Sequence, residues 1–143
     1  SGFSKHREVD TPELTAALAP LAPGALHCCA PGAWLSWARS AGFRTVAVDA
    51  GLVDYDELAQ WLDEEREVLL GVVDTAKPRV QSADELITKA LQVLRTVGVD
   101  DATRHVVLGT ACGLAGWNQR DVVVQLRALA SAAPLIEEAM SRG

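Results

Sequence analysis

Four short apolar runs recur along the chain, Ala25 to Cys29, Thr45 to Val48, Val68 to Val73 and Val106 to Gly109, and a stretch of helical period separates each from the next. Runs this short and free of charge read as strands buried on both faces. Strands that alternate with helices form a parallel sheet joined by right-handed crossovers. The expected fold class is therefore α/β, with four parallel βα units. A complete (β/α)8 barrel needs about 250 residues, so 143 residues exclude one.

The helices carry their own start and stop signals. Thr11-Pro12-Glu13 reads as a hydroxyl cap, an early proline and a first-turn acid, and Pro20 and Pro23 end the helix that follows. Pro31 is expected to begin the second helix, with Trp34, Leu35 and Ala38 on its inner face and Gly42 closing it. A third amphipathic helix is expected from about Asp54 to Glu65. Ser82-Ala83-Asp84-Glu85 is a capping box that opens a fourth, running through Leu94 and stopping near Gly98. The last runs from about Gln119 to Met140, with Pro134 expected to kink it or split off its last turns. The helix ahead of the first strand points to a larger pattern of which these units are the later part.

Composition narrows the function classes. Against 19 acidic residues stand 13 Lys and Arg, a net charge of −6, which argues against a nucleic-acid backbone binder. Three cysteines are too few for a disulfide scaffold and are better read as packing, reactive or metal-binding thiols. Leu14 to Ala38 carries no Asp, Glu, Lys or Arg, yet Pro20, Pro23, Gly24, Pro31 and Gly32 interrupt it too often for a membrane span. Ser1 to Asp10 lacks the apolar region of a signal peptide. No composition break divides the chain. The expectation is one soluble, cytoplasmic domain over residues 1–143.

Ligands of parallel α/β folds gather beyond the carboxyl ends of the strands. His27 and Cys29 close the first strand, Asp49 the second and Asp74 the third, and Cys112 follows the fourth. His27 and Cys29 are two apart and so face the same side, whereas Cys28 faces the helices. His27, Cys29 and Cys112 suit Zn²⁺, with Asp49 or water as the fourth ligand. The alternative stands beside it: buried Cys is a common small hydrophobe, and Asp49 and Asp74 could equally cap the helices that follow them. Trp34, Trp37, Trp61 and Trp117 read as core or subunit-contact residues, and Asp63 to Glu67 as a solvated helix end.

Taken together, Leu26-His27-Cys28-Cys29, Val48-Asp49, Gly71-Val72-Val73-Asp74, Pro78-Arg79-Val80 with Ser82, and Cys112-Gly113-Leu114 resemble the carboxyl-terminal catalytic barrel of cobalamin-independent methionine synthases, in order and with compatible spacing. The resemblance implies the second half of a TIM barrel and a zinc-dependent methyl transfer to a small thiol such as homocysteine, a step of methionine biosynthesis. It implies metal ligation by His27, Cys29, Asp49 and Cys112, where Asp49 stands for a family Glu. Asp74 and Thr75 would line the mouth, and Trp117 would border the substrate. The methyl donor would be a folate or a methylcorrinoid. The chain departs from the family's Asp-x-His segment, a His thought to protonate the donor, because Asp74-Thr75-Ala76 carries Ala at that place.

A half-barrel alone would leave two strand edges and an apolar face open. The expected partner is a second copy or a separate amino-terminal half-barrel. For the architecture, a four-stranded open sheet covered on both faces, with short edges, is the other possibility; for the function, two other readings remain: a non-catalytic half-barrel subunit, and a binding or carrier module of flavodoxin-like form. The second has little support as a nucleotide binder, since no G-x-G-x-x-G follows a strand.

Overall fold

The computed structural model describes residues 10–99 and 101–142. The reading of the first residues as free of a targeting segment falls on positions outside these, save Asp10. Helix α1 (Thr11–Leu18) leads into strand β1 (Ala25–Cys28), followed by α2 (Leu35–Ser40), β2 (Thr45–Asp49), α3 (Tyr55–Asp63), β3 (Glu67–Val73), α4 (Ala83–Val97), β4 (Val106–Thr110) and α5 (Gln119–Ser141). All four strands are parallel, in the order β1-β2-β3-β4. The four predicted βα units are all present.

That order decides how the helices sit. When every strand adds beside its predecessor through a right-handed crossover, each helix falls on the same face. Burial agrees. Val46, Val48, Val68 and Leu70 point into the helix layer and are fully buried among Phe43, Leu58, Trp61, Leu62, Leu86 and Leu94. On the opposite face, His27, Ala47, Leu69 and Val107 form one registered row across all four strands. There Leu69 is 39% and Val107 59% exposed. This corrects the reading of a sheet covered on both faces, because consecutive strand order never reverses and so never sends a helix across.

Capping explains most helix boundaries. Asp10, rather than Thr11, caps α1 by accepting from the Glu13 N–H at 2.9 Å. Asp54 caps α3, and the Ser82–Glu85 box opens α4, which ends at Gly98 in the left-handed region. Neither Asp49 nor Asp74 caps a helix. The second helix starts at Leu35 and not at Pro31. Gly32 takes φ +103° and bridges to Val53, so the chain is still crossing the strand ends there. With no cap of its own, α2 borrows one from α3: Glu57 accepts from the N–H groups of Leu35 and Ser36 at 2.7 and 3.3 Å. Pro134 neither splits nor ends α5, which runs through it as one helix.

At the amino-terminal end of the sheet, Glu64 pairs with Arg39 and Arg66, and Arg66 lies 5.2 Å over the Trp61 ring. Burial pushes the Glu64 carboxyl up, but the two guanidinium groups outweigh it and hold it below its ordinary value. The run Asp63 to Glu67 is thus partly an ion-pair network. Among the described residues, no helix is long and apolar enough to cross a membrane.

Gly71 marks the tightest point of the sheet. A Cβ there would lie 2.5 Å from the Ala111 Cα and 2.6 Å from the Val48 carbonyl oxygen, both backbone atoms that cannot step aside. We expect Gly71→Val to cost about 3 kcal/mol through overpacking, seen as a lower urea midpoint with an unchanged slope.

Candidate metal centre

In a flat parallel sheet, strands about 4.8 Å apart would hold β1 and β4 about 14 Å from one another. The sheet is not flat. One donor atom from each of His27, Cys29 and Cys112 lies within 4.8 Å of the others, and the two sulfurs stand 3.9 Å apart. Side chains at the ends of the first and last strands thus converge across the mouth of a curled sheet. His27 projects from β1 on the open face, and Cys29 follows where β1 ends. Beyond β4, the Ala111 N–H donates to the Val73 carbonyl at 2.9 Å, which turns the next residue, Cys112, over the strand ends. All three side chains are solvent-accessible. Cys28 faces the other way and packs against the core.

Asp49 sits in register with Gly71 at the end of β2, yet it is not in the three-donor group. One of its oxygens accepts from the Gly51 N–H at 2.7 Å. Asp74, one residue past β3, makes the same kind of turn with the Ala76 N–H at 2.9 Å and is exposed beside half-buried Thr75. Of the residues singled out from sequence, three therefore converge, while Asp49 and Asp74 lie at neighbouring strand ends with one oxygen each engaged locally. Trp34 and Trp117 each stand five residues past a cysteine of the cluster, are buried, and keep an indole N–H without a hydrogen-bond partner. Sequence reading passed over Gln81 and Gln125, both buried behind the Asp74 loop. A signal existed, because Gln125 interrupts the apolar stripe of α5 formed by Val122, Leu129, Ala132 and Ile136.

The neighbouring sulfur of Cys112 acts on Cys29. The Cys29 thiol donates to the Cys112 sulfur, and that bond together with the charge of Cys112 raises the Cys29 thiol above its ordinary value. The Cys29 thiol so placed resists ionisation.

The comparisons with known proteins bear on this geometry. The sequence profile of the family described as "Cobalamin-independent synthase, Catalytic domain" matches residues 38–134, more than half of the chain. The chain belongs to that family. The matched stretch holds Asp49, Asp74 and Cys112, and begins after His27 and Cys29. A B12-independent methionine synthase from Shewanella sp. W3-18-1, solved in complex with selenomethionine, superposes with a TM-score of 0.67 at 17% identity, over 94% of this chain and 47% of that one. That likeness is one of fold, and the chain spans about half the length of the solved protein. Seventeen solved chains match in all. No curated protein matches the sequence.

Removing Cys112 relieves the upward shift of the Cys29 thiol. In metal-free Cys112→Ala, Cys29 should be alkylated by iodoacetamide faster than in the parent chain at pH 8, and the two rates should converge at high pH where Cys29 is ionised in both proteins. Peptide mass mapping separates Cys29 from Cys28.

Proposed function

We propose that this chain carries the metal-bearing half of a methionine-synthase-like catalytic barrel and acts in zinc-dependent methyl transfer to a small thiol such as homocysteine. The single observation that carries the reading is the convergence of His27, Cys29 and Cys112. The donor set fits the ion: two sulfurs on one tetrahedral zinc, at bonds of about 2.3 Å, stand about 3.8 Å apart, against 3.9 Å here. Imidazole with two thiolates is a borderline-soft set that suits zinc over magnesium or calcium. His27, Cys29 and Cys112 would hold the ion, with Asp49 or water as the fourth ligand. When bound, zinc(II) supplies the Lewis acidity that keeps a coordinated thiol ionised at neutral pH.

The chain's own residues set the rest. Cys29 and Cys112 as thiolates give the site enough negative charge to keep an acceptor sulfur electron-rich. Asp49, one methylene shorter than Glu and already accepting from Gly51, would be the weakest holder of the ion and the one to make room for a thiol. Asp74 and Thr75 border the same mouth. Ala76 has no proton to give. That favours a donor whose departing group needs no protonation, a methylcorrinoid, over a folate.

The open face also needs cover. Leu69 and Val107 stand exposed on it, and a groove of about 700 Å³ runs along the free edge of β4, lined by Val106, Leu108, Leu129, Pro134 and Ile136. A further set of four βα units, from a second copy or an amino-terminal half-barrel, would close the sheet and supply the remaining substrate contacts. The exposed Val123, Val124 and Leu126 of α5 extend the apolar surface such a half would bury.

Metal analysis tests the reading. The purified chain should hold about one zinc, Cys112→Ser should lose it, and Asp49→Ala should weaken it by a smaller factor, about 10- to 100-fold. A fully folded parent chain that takes up no zinc overturns it and leaves a non-catalytic half-barrel.

A further inference from the structure

We infer that Gln125, acting through Gln81, is a positioning residue for the Asp74–Thr75 rim. Gln125 is wholly buried on α5, and Gln81, 6% exposed, lies in the segment leading to α4. Gln125 Oε1 accepts from the Gln81 backbone N–H at 2.7 Å, and its Nε2 donates to the Gln81 carbonyl at 3.1 Å. Gln81 repeats the pattern one step further on. Its Oε1 accepts from the Asp74 N–H at 3.0 Å, and its Nε2 donates to the Asp74 carbonyl at 3.1 Å.

Each side-chain amide therefore pairs with both backbone groups of one residue, as a neighbouring strand would, and Gln81 Nε2 also donates to the Arg79 carbonyl at 3.4 Å. The need for this is local. The β3–β4 ladder ends with Val73 opposite Thr110, after a bulge between Gly71 and Val73. Asp74 is the first residue beyond the ladder, and Gln81 completes its backbone bonding there. Two buried amides are unfavourable unless every donor and acceptor is matched. An apolar residue at 125 would simply extend the stripe of Leu129, Ala132 and Ile136. Glutamine at both places is explained by what it holds. Because α5 is the helix that follows the Cys112 turn, the relay ties the β3 side of the mouth to the β4 side. The inference rests on the proposed function only in taking that rim to border a reaction site.

Backbone amide exchange on the full chain, by NMR, tests it with two variants. Gln125→Leu removes both bonds at similar volume, and protection at Asp74 should fall about tenfold while β2 amides keep theirs. Gln125→Glu supplies the discriminating readout. A protonated carboxyl offers the same acceptor and donor as the amide, whereas a carboxylate cannot donate to the Gln81 carbonyl. Asp74 protection should therefore match the parent at low pH and drop as the buried carboxyl ionises, above the ordinary carboxylate range. The parent chain run in parallel corrects for Asp74, Lys77, Arg79, Asp84 and Glu85 on the bonded segment, and for Asp121 and Arg127 on α5. Unchanged Asp74 protection in the Leu variant, a uniform loss across the sheet, or a Glu variant indifferent to pH would each overturn the inference. Should Gln125→Leu fail to fold, the Glu variant decides alone. A parent chain that binds no zinc defeats the proposed function and leaves this exchange pattern as decisive as before.

Discussion

The curl of the sheet is the constraint on which everything else depends, and it goes with an imbalance of side-chain volume between the two faces at several registers. On the outer face, Trp61, Phe43, Leu58 and Leu62 fill the space under the helices. On the inner face, Ala25, Ala47, Gly71 and Gly109 occupy much of the register. A parallel sheet wedged apart outside and left thin inside bends towards the thin side, beyond the twist it has already. Gly71 carries the closest approach, with Ala111 and Val48 backbone where a side chain would stand. Bending brings the ends of the outermost strands together, and His27, Cys29 and Cys112 meet there although 83 residues separate the two sulfurs.

The fold was largely legible because its signals are local. A 15-residue amphipathic α4 announces itself through Ser82 and Glu85, and β3 through six consecutive apolar or glycine positions from Val68. Apart from the α1 cap, shifted by one residue to Asp10, the misread boundaries are those where tertiary contacts did the deciding. The start of α2 depends on Glu57, 22 residues further along, and on a bridge between Gly32 and Val53. Pro134 was expected to disrupt α5, whose inner face is anchored on both sides of it by Leu129, Ala132 and Ile136. Packing outweighed the one lost backbone bond.

The site was legible in part, for a related reason. Two-residue spacing put His27 and Cys29 on one face, and the strand-end rule put Cys112 at the same end of the sheet. What no spacing rule conveys is the depth of the curl, so the closeness of β1 to β4 had to come from three dimensions. The engagement of Asp49 with Gly51 and of Asp74 with Ala76 was hidden for the opposite reason: both are single hydrogen bonds within short turns, and an aspartate at a strand end leaves several such partners open. Gln81 and Gln125 were missed because a lone amide in an apolar stripe looks like an ordinary exception until its partner, 44 residues away, is in view.

The span between Cys29 and Cys112 has a consequence for how the molecule matures. Closing a loop of that length is entropically unfavourable, and nothing local repays it until the intervening strands have stacked in sequence. The cluster of donors is therefore absent from any chain with one strand misplaced. A late-forming donor set of this kind would work as a built-in inspection step: under the proposed function, only a molecule whose four strands have all stacked in order would capture the ion, and capture would in turn hold the ends of the first and last strands together.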